Sequence, residues 1–127
     1  DVLCQLLEQG WEKEPRVFCK SGIWTIRESL SFARVADLVI GSETGVLNAV
    51  GMEEVEKIVM LSHSSVENLT KHWKNTKSLE PKTSCYPCHK MHYNFDYCKR
   101  DETSGVAQCQ ADITPDEVYS AIQKALG

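Results

Sequence analysis

The stretch Asp37-Leu38-Val39-Ile40-Gly41-Ser42-Glu43-Thr44-Gly45-Val46-Leu47-Asn48-Ala49-Val50 decides how the rest of the chain is read. Leu38, Val39 and Ile40 form an apolar run closed by Gly41, the pattern of a short buried parallel strand over 37–41. The chain then turns through small and polar residues into a helix predicted to begin near Glu43 or Thr44. A strand, a Gly-containing turn and a helix start together place free backbone N–H groups at the carboxyl edge of a sheet. That edge is where open α/β sheets bind ligands, and the positive helix end suits phosphate groups. The Glu43 carboxylate and Thr44 hydroxyl stand at the same turn, placed to hold sugar hydroxyls beside the phosphates. On spacing alone a plainer reading weighs about the same: Ser42 and Thr44 cap a helix and Glu43 complements its dipole.

Outward from that stretch, 127 residues fit one domain, with room for a core but little for a complete two-substrate enzyme. The net charge of −4, with no basic face in the pattern, argues against nucleic acid as the main partner. No apolar run approaches the roughly 20 residues that span a bilayer, and the start lacks the basic-then-apolar pattern of a signal peptide. The first residue is Asp inside a helical pattern, so the chain is expected to be part of a longer one.

Upstream, Val2, Leu3, Leu6 and Leu7 recur at helical spacing and Gly10 stops that helix. Arg16-Val17-Phe18-Cys19 reads as a short strand. Thr25 and Glu28 form a capping box for a helix whose apolar face is Ile26, Leu30, Ala33 and Val35 or Ala36. Downstream, Lys57 to Leu61 reads as a buried strand, and Ser64 with Glu67 as a capping box for a short helix reaching about Trp73. Thr76 to Leu79 suggests an edge strand. Residues 81–112 show little periodicity, and Thr114-Pro115 opens a closing helix over 115–126 with Val118, Ile122 and Leu126 on one face. Helices alternating with strands over short links imply right-handed crossovers, hence an α/β fold with a parallel sheet flanked by helices.

At this point the residues resemble a known family. A strand ending Asp37-Leu-Val-Ile-Gly41, then an acid, Thr44-Gly45 and a helix, is similar to the donor-site signature of the ADP-heptose:lipopolysaccharide heptosyltransferases, glycosyltransferase family 9. Thr25-Ile-Arg-Glu-Ser-Leu30 resembles that family's S-L-R-E-L helix start, and Ile58 to Ser65 its next strand and small-residue turn. Cys85-Tyr-Pro-Cys88, a later Cys, and Cys109-Gln-Ala-Asp-Ile-Thr-Pro-Asp-Glu-Val118 resemble its cysteine-bearing segment and closing helix.

The resemblance implies a Rossmann-like half of a GT-B enzyme. The chain is then one partial domain, the later part of the C-terminal donor-binding domain, lacking the N-terminal acceptor domain and with it the catalytic base. It implies inverting transfer of a heptose-like sugar from an ADP-sugar to an acceptor of the lipopolysaccharide-core type. No cofactor is needed for that chemistry, and the setting is cytoplasmic, at the inner face of the membrane through the acceptor. Alone the chain is expected to be inactive. The family's acid-Thr-Gly turn carries over to Glu43, Thr44 and Gly45, with Glu replacing the usual Asp. Asn48 stands where the family places His, and can donate a hydrogen bond but carries no charge. Trp24, just before the Thr25 cap, stands where members place a residue against adenine, though an ordinary core or interface Trp is equally in keeping with it.

Two further sites are read from the residues. Cys85-x2-Cys88-x9-Cys98-x10-Cys109 holds the ligand types of a tetrahedral thiolate zinc site, with His89 and His92 as substitutes. The second pair lacks the tight spacing of the first, so reduced or adventitiously paired thiols are preferred over structural zinc; Cys4 and Cys19 read as core. His63 lies past the carboxyl end of a strand, facing the same edge as Glu43, with a solvated turn His as its plainer reading; His72 reads as a helix-end cation. A class apart from the transferase is a stand-alone nucleotide-binding or zinc-stabilised protein-interaction module.

In the usual Rossmann order, strand 16–19 would be separated from strand 37–41 by strands this chain does not contain. Two outcomes are expected: a gap filled by another chain, with self-association through the incomplete sheet, or closure of 16–19 directly onto 37–41.

Overall fold

The computed structural model describes residues 2–11, 13–90 and 96–127, and of residues 2, 3, 7 and 8 the backbone alone. In chain order they form α1 (Val2–Gln9), α2 (Ile26–Val35), β1 (Leu38–Ser42), α3 (Gly45–Val50), β2 (Glu56–Met60), a π-helical turn (Val66–Thr70), β3 (Thr76–Leu79), α4 (Gln108–Ala111) and α5 (Pro115–Leu126). The strands make one parallel sheet in the order β1-β2-β3. The fold is α/β, a small parallel sheet with flanking helices. The expected side chains of Val2, Leu3 and Leu7 lie outside the described residues, as does His92.

Local chemistry starts the longer helices where the sequence places them. Thr25 Oγ1 accepts from the Glu28 N–H at 3.2 Å while Glu28 Oε2 accepts from the Thr25 N–H at 2.8 Å. Thr114 and Glu117 repeat this at 3.3 and 3.0 Å ahead of α5, with Pro115 in its first turn. Each such box satisfies two N–H groups that the helix leaves without partners.

Register sets which side chains share a face. Val39 pairs with Lys57 and Gly41 with Val59, so Val39, Val59 and, by continuation, Leu61 point to one side. There they meet Ala33 of α2, Leu47 and Val50 of α3, and Val66, Leu69 and Trp73 of the following turn. Ile58 points to the other side, fully buried, where α5 covers β2 and β3. Lys57, only 1% exposed, turns its ammonium onto the carbonyls of Glu53 and Val55 at 2.8 and 2.6 Å. A buried cation is tolerated there because those acceptors replace water.

Four expectations change. Residues 16–19 form no strand; Val17 and Phe18 are 44% and 70% exposed, and β1 pairs with β2 alone. A strand needs a ladder partner to satisfy its N–H and C=O groups, and this segment does not reach the free side of β1. β1 is therefore an edge strand, and Ile40 is exposed rather than buried. On α2, Ala33 is buried but Ile26 and Val35 are both 79% exposed, because the helix packs chiefly on α3, by the face that carries Ala33. Finally, the cap after β2 is Ser65, accepting from the Asn68 N–H at 3.2 Å, and it opens a π turn instead of a helix to Trp73. Ser64 is drawn away because its own N–H is held by Glu43. No described helix is long and apolar enough to cross a membrane.

Candidate functional site at the carboxyl edge of the sheet

β1 and β2 run side by side in parallel, so their carboxyl ends deliver two turns to one place: Ser42 to Gly45, and Ser62 to Ser65. Glu43 joins them. Its Oε2 accepts from the Ser62 hydroxyl at 2.7 Å, the Ser62 N–H at 3.2 Å and the His63 N–H at 3.1 Å, and lies 2.7 Å from His63 Nδ1. Its Oε1 accepts from the Ser64 N–H at 2.7 Å. Three successive amides thus wrap a carboxylate, a concave anion nest filled from within the chain. The Glu43 side chain is 5% exposed. Burial pushes its pKa up, but the Ser62 hydroxyl, the His63 and Ser64 amides and the His63 charge prevail, leaving it below the ordinary carboxylate value.

Glu43 has by this count committed most of its roughly four lone-pair sites, and its geometry is that of a brace between two turns. Around it the other predicted residues differ in freedom. Thr44 precedes α3 in extended conformation and is exposed, and its hydroxyl makes no cap hydrogen bond. Gly45 has open space where a Cβ would stand. Asn48 is exposed one turn into α3, its N–H donating to the Thr44 carbonyl at 3.0 Å. His63 remains half exposed although its Nδ1 faces Glu43.

Ser42 lines a cavity of about 360 Å³ together with Met60, Leu61, Ser62, Cys109, Gln110 and Ile113. Of the predicted site residues this cavity takes in Ser42 alone; Glu43, Thr44, Gly45, Asn48 and His63 are not in its lining. A larger groove of about 600 Å³ runs between β3 and α5 and contains none of these residues.

Trp24 is half-buried in an aromatic group of its own. Its ring centroid is 5.0 Å from that of Phe32, and Lys20 Nζ lies 5.8 Å from its centre. Among the described residues no hydrogen bond or ring contact joins it to Glu43 or His63.

Two residues of the cysteine segment border the site: Tyr86, not singled out from the sequence, and His89, read there only as a substitute metal ligand. Tyr86 packs with Leu47, Val59 and Leu61, and its hydroxyl donates to Glu80 Oε1 at 2.9 Å. Burial, together with Glu80 and Glu43, raises its pKa above the usual phenol value. The His89 N–H donates to the His63 carbonyl at 2.9 Å, fastening this segment onto the turn that Glu43 holds. The signal for Ser62 and Ser64 lies in the strands, since neighbouring parallel strands must end side by side; nothing in the sequence brings Tyr86 or the His89 N–H to this turn.

All six cysteines are free thiols. Among the described residues no three His, Cys, Asp or Glu side chains are already arranged around a metal position. Set against known protein families, curated proteins and solved structures, the chain matches none.

Proposed function

We propose that the chain is the nucleotide-sugar-binding part of a glycosyltransferase, taking an ADP-sugar of the heptose type for inverting transfer to a lipopolysaccharide-core-type acceptor. The observation that carries this reading is the turn at the end of β1. The Thr44 hydroxyl and the Gly45 backbone are left open there, beside a neighbouring turn locked in place by Glu43. In this reading Thr44 and the Gly45 backbone meet the diphosphate, with Ser42, Asn48 and His63 around the sugar and Trp24 near the base. Glu43 positions the loop that carries His63. Departing diphosphate gains stability from backbone N–H groups fixed before it arrives. The acceptor domain and its base belong to a further part of the enzyme, working in the cytoplasm at the inner membrane face, and no metal takes part in the transfer.

Calorimetric titration with ADP and with ADP-heptose tests this. Binding is expected to weaken about tenfold or more in Thr44→Ala, the loss of roughly one good hydrogen bond to a charged group. In Gly45→Ala binding should fall while unfolding stability stays the same or rises, because the new methyl meets only open space in the free chain. Absence of any heat with either nucleotide would remove the transferase reading and leave the interaction module.

A further inference from the structure

The cysteine segment places its thiols by construction. Its latter part folds back on itself: Arg100 bridges Ala107 in antiparallel fashion, Asp101 donates its N–H to the Val106 carbonyl at 2.9 Å, and Gln108 donates to the Lys99 carbonyl at 2.8 Å. The bend is held by Asp101 Oδ2, which accepts from the Ser104 N–H and hydroxyl, each at 2.7 Å, and by Gly105 at φ +72°. With Lys99 opposite Gln108, the next residues outward, Cys98 and Cys109, come to the same end of the hairpin. The sequence separation that counted against them is closed in space. Cys98 and Gln110, the neighbour of Cys109, line one cavity.

The Cys85-x2-Cys88 knuckle is tied to the same place. The Lys82 N–H donates to Asp112 Oδ2 at 3.0 Å, and Asp112 Oδ1 accepts from Gln108 Nε2 at 2.9 Å, so the chain enters the knuckle tied at Lys82 to the end of α4. Cys109 is raised in pKa by burial first and then by the thiols of Cys85, Cys98 and Cys88, all three of which are in its electrostatic reach. Disulfides need thiols only in pairs. Three further thiols within reach of Cys109 supply the ligand type of a tetrahedral thiolate site, and a divalent cation there would stabilise their deprotonated form.

We propose that Cys85, Cys88, Cys98 and Cys109 form a structural site for a soft divalent cation, zinc, joining the 85–88 knuckle to the 98–109 hairpin. On binding, each thiol gives its proton to water as its sulfur takes the metal, and side-chain rotation draws the four sulfurs in from their present separation. The proposal stands apart from the nucleotide reading: the site fixes the loop whose His89 holds the His63 turn, whatever that turn binds.

The test uses the full chain, reduced and dialysed against trace zinc, then loaded with cobalt(II) as a spectroscopic probe. Expected are one equivalent of zinc, intense thiolate-to-cobalt charge-transfer absorption with tetrahedral visible bands, and a rise in melting temperature on adding zinc. Cys98→Ser and Cys109→Ser should each weaken binding at least tenfold, whereas Cys4→Ser with Cys19→Ser should leave the spectrum intact. The proposal is overturned by an octahedral or absent cobalt spectrum. It is equally overturned by binding that survives Cys109→Ser, or by a reduced chain that takes up no zinc and reoxidises to Cys85–Cys88 and Cys98–Cys109 disulfides.

Discussion

Glu43 shows how far a residue's neighbours decide what its chemistry is used for. As a lone acid at a strand end it reads equally as a ligand group or as a partner for a helix dipole. In the fold it accepts from three successive amides, one hydroxyl and an imidazole, and so welds the ends of two strands. Glu43→Gln replaces one oxygen by a donor and is expected to cost about 2 kcal/mol, since buried N–H groups then lose their acceptor. The pH dependence has a definite sign. The folded pKa is below the unfolded one, so the stabilisation is fully present above the ordinary carboxylate range and is lost as pH falls through the depressed folded value. Denaturant unfolding from neutral to acid pH should therefore show wild type and Glu43→Gln well separated at pH 7 and converging in acid. A constant gap would show that the carboxylate's charge is not what matters.

The short elements are stabilised by what lies across from them. α3 is six residues long and lacks a side-chain cap, well below the length at which a helix holds in water. It persists because Leu47 and Val50 are buried against the sheet and α2. Its end is fixed by Gly51, whose missing side chain admits the Trp73 ring: a Cβ there would lie 2.7 Å from Trp73 Cε2. Gly51→Ala forces the indole out of its place and should destabilise by about 1–3 kcal/mol, the usual cost of overpacking. Thermal unfolding followed by Trp fluorescence checks it, and an unchanged midpoint would mean the indole has room to shift. Capped helices are different: Thr25 and Thr114 supply the start signals of α2 and α5 without help from the core.

Taken as a whole, the sheet ends in an edge strand on each side, β1 and β3, and β1 carries the exposed apolar residue. Among the described residues β1 offers an unpaired edge with Ile40 on it 40% exposed, and Ile26, Phe32 and Val35 of α2 are more exposed still. Such an edge invites pairing with another strand. The chain is accordingly expected to self-associate at high concentration, measured as a mass above that of the monomer in light scattering. Ile40→Lys should lower that mass without loss of helix content, because its side chain stands on the same face as Ile58 but on the edge strand, beside rather than under α5, which packs on β2 and β3. A monomer at every concentration would show that the edge is blunt enough already.

Several elements were legible in the residues alone: α1, α2, β1, β2, β3 and α5 follow from periodicity and from two capping boxes, all interactions within a few residues along the chain. Spacing also brought Ser42, Glu43, Thr44 and His63 to one edge, because parallel strands share an end. Beyond that reach the pattern was silent or misleading. Residues 16–19 have strand-like composition but no partner, and Ser64 has the spacing of a cap but spends its N–H on Glu43. The bracing role of Glu43 and the hairpin that sets Cys98 opposite Cys109 depend on groups brought together from distant positions. Such contacts obey distance in space, on which the order of residues places no local constraint.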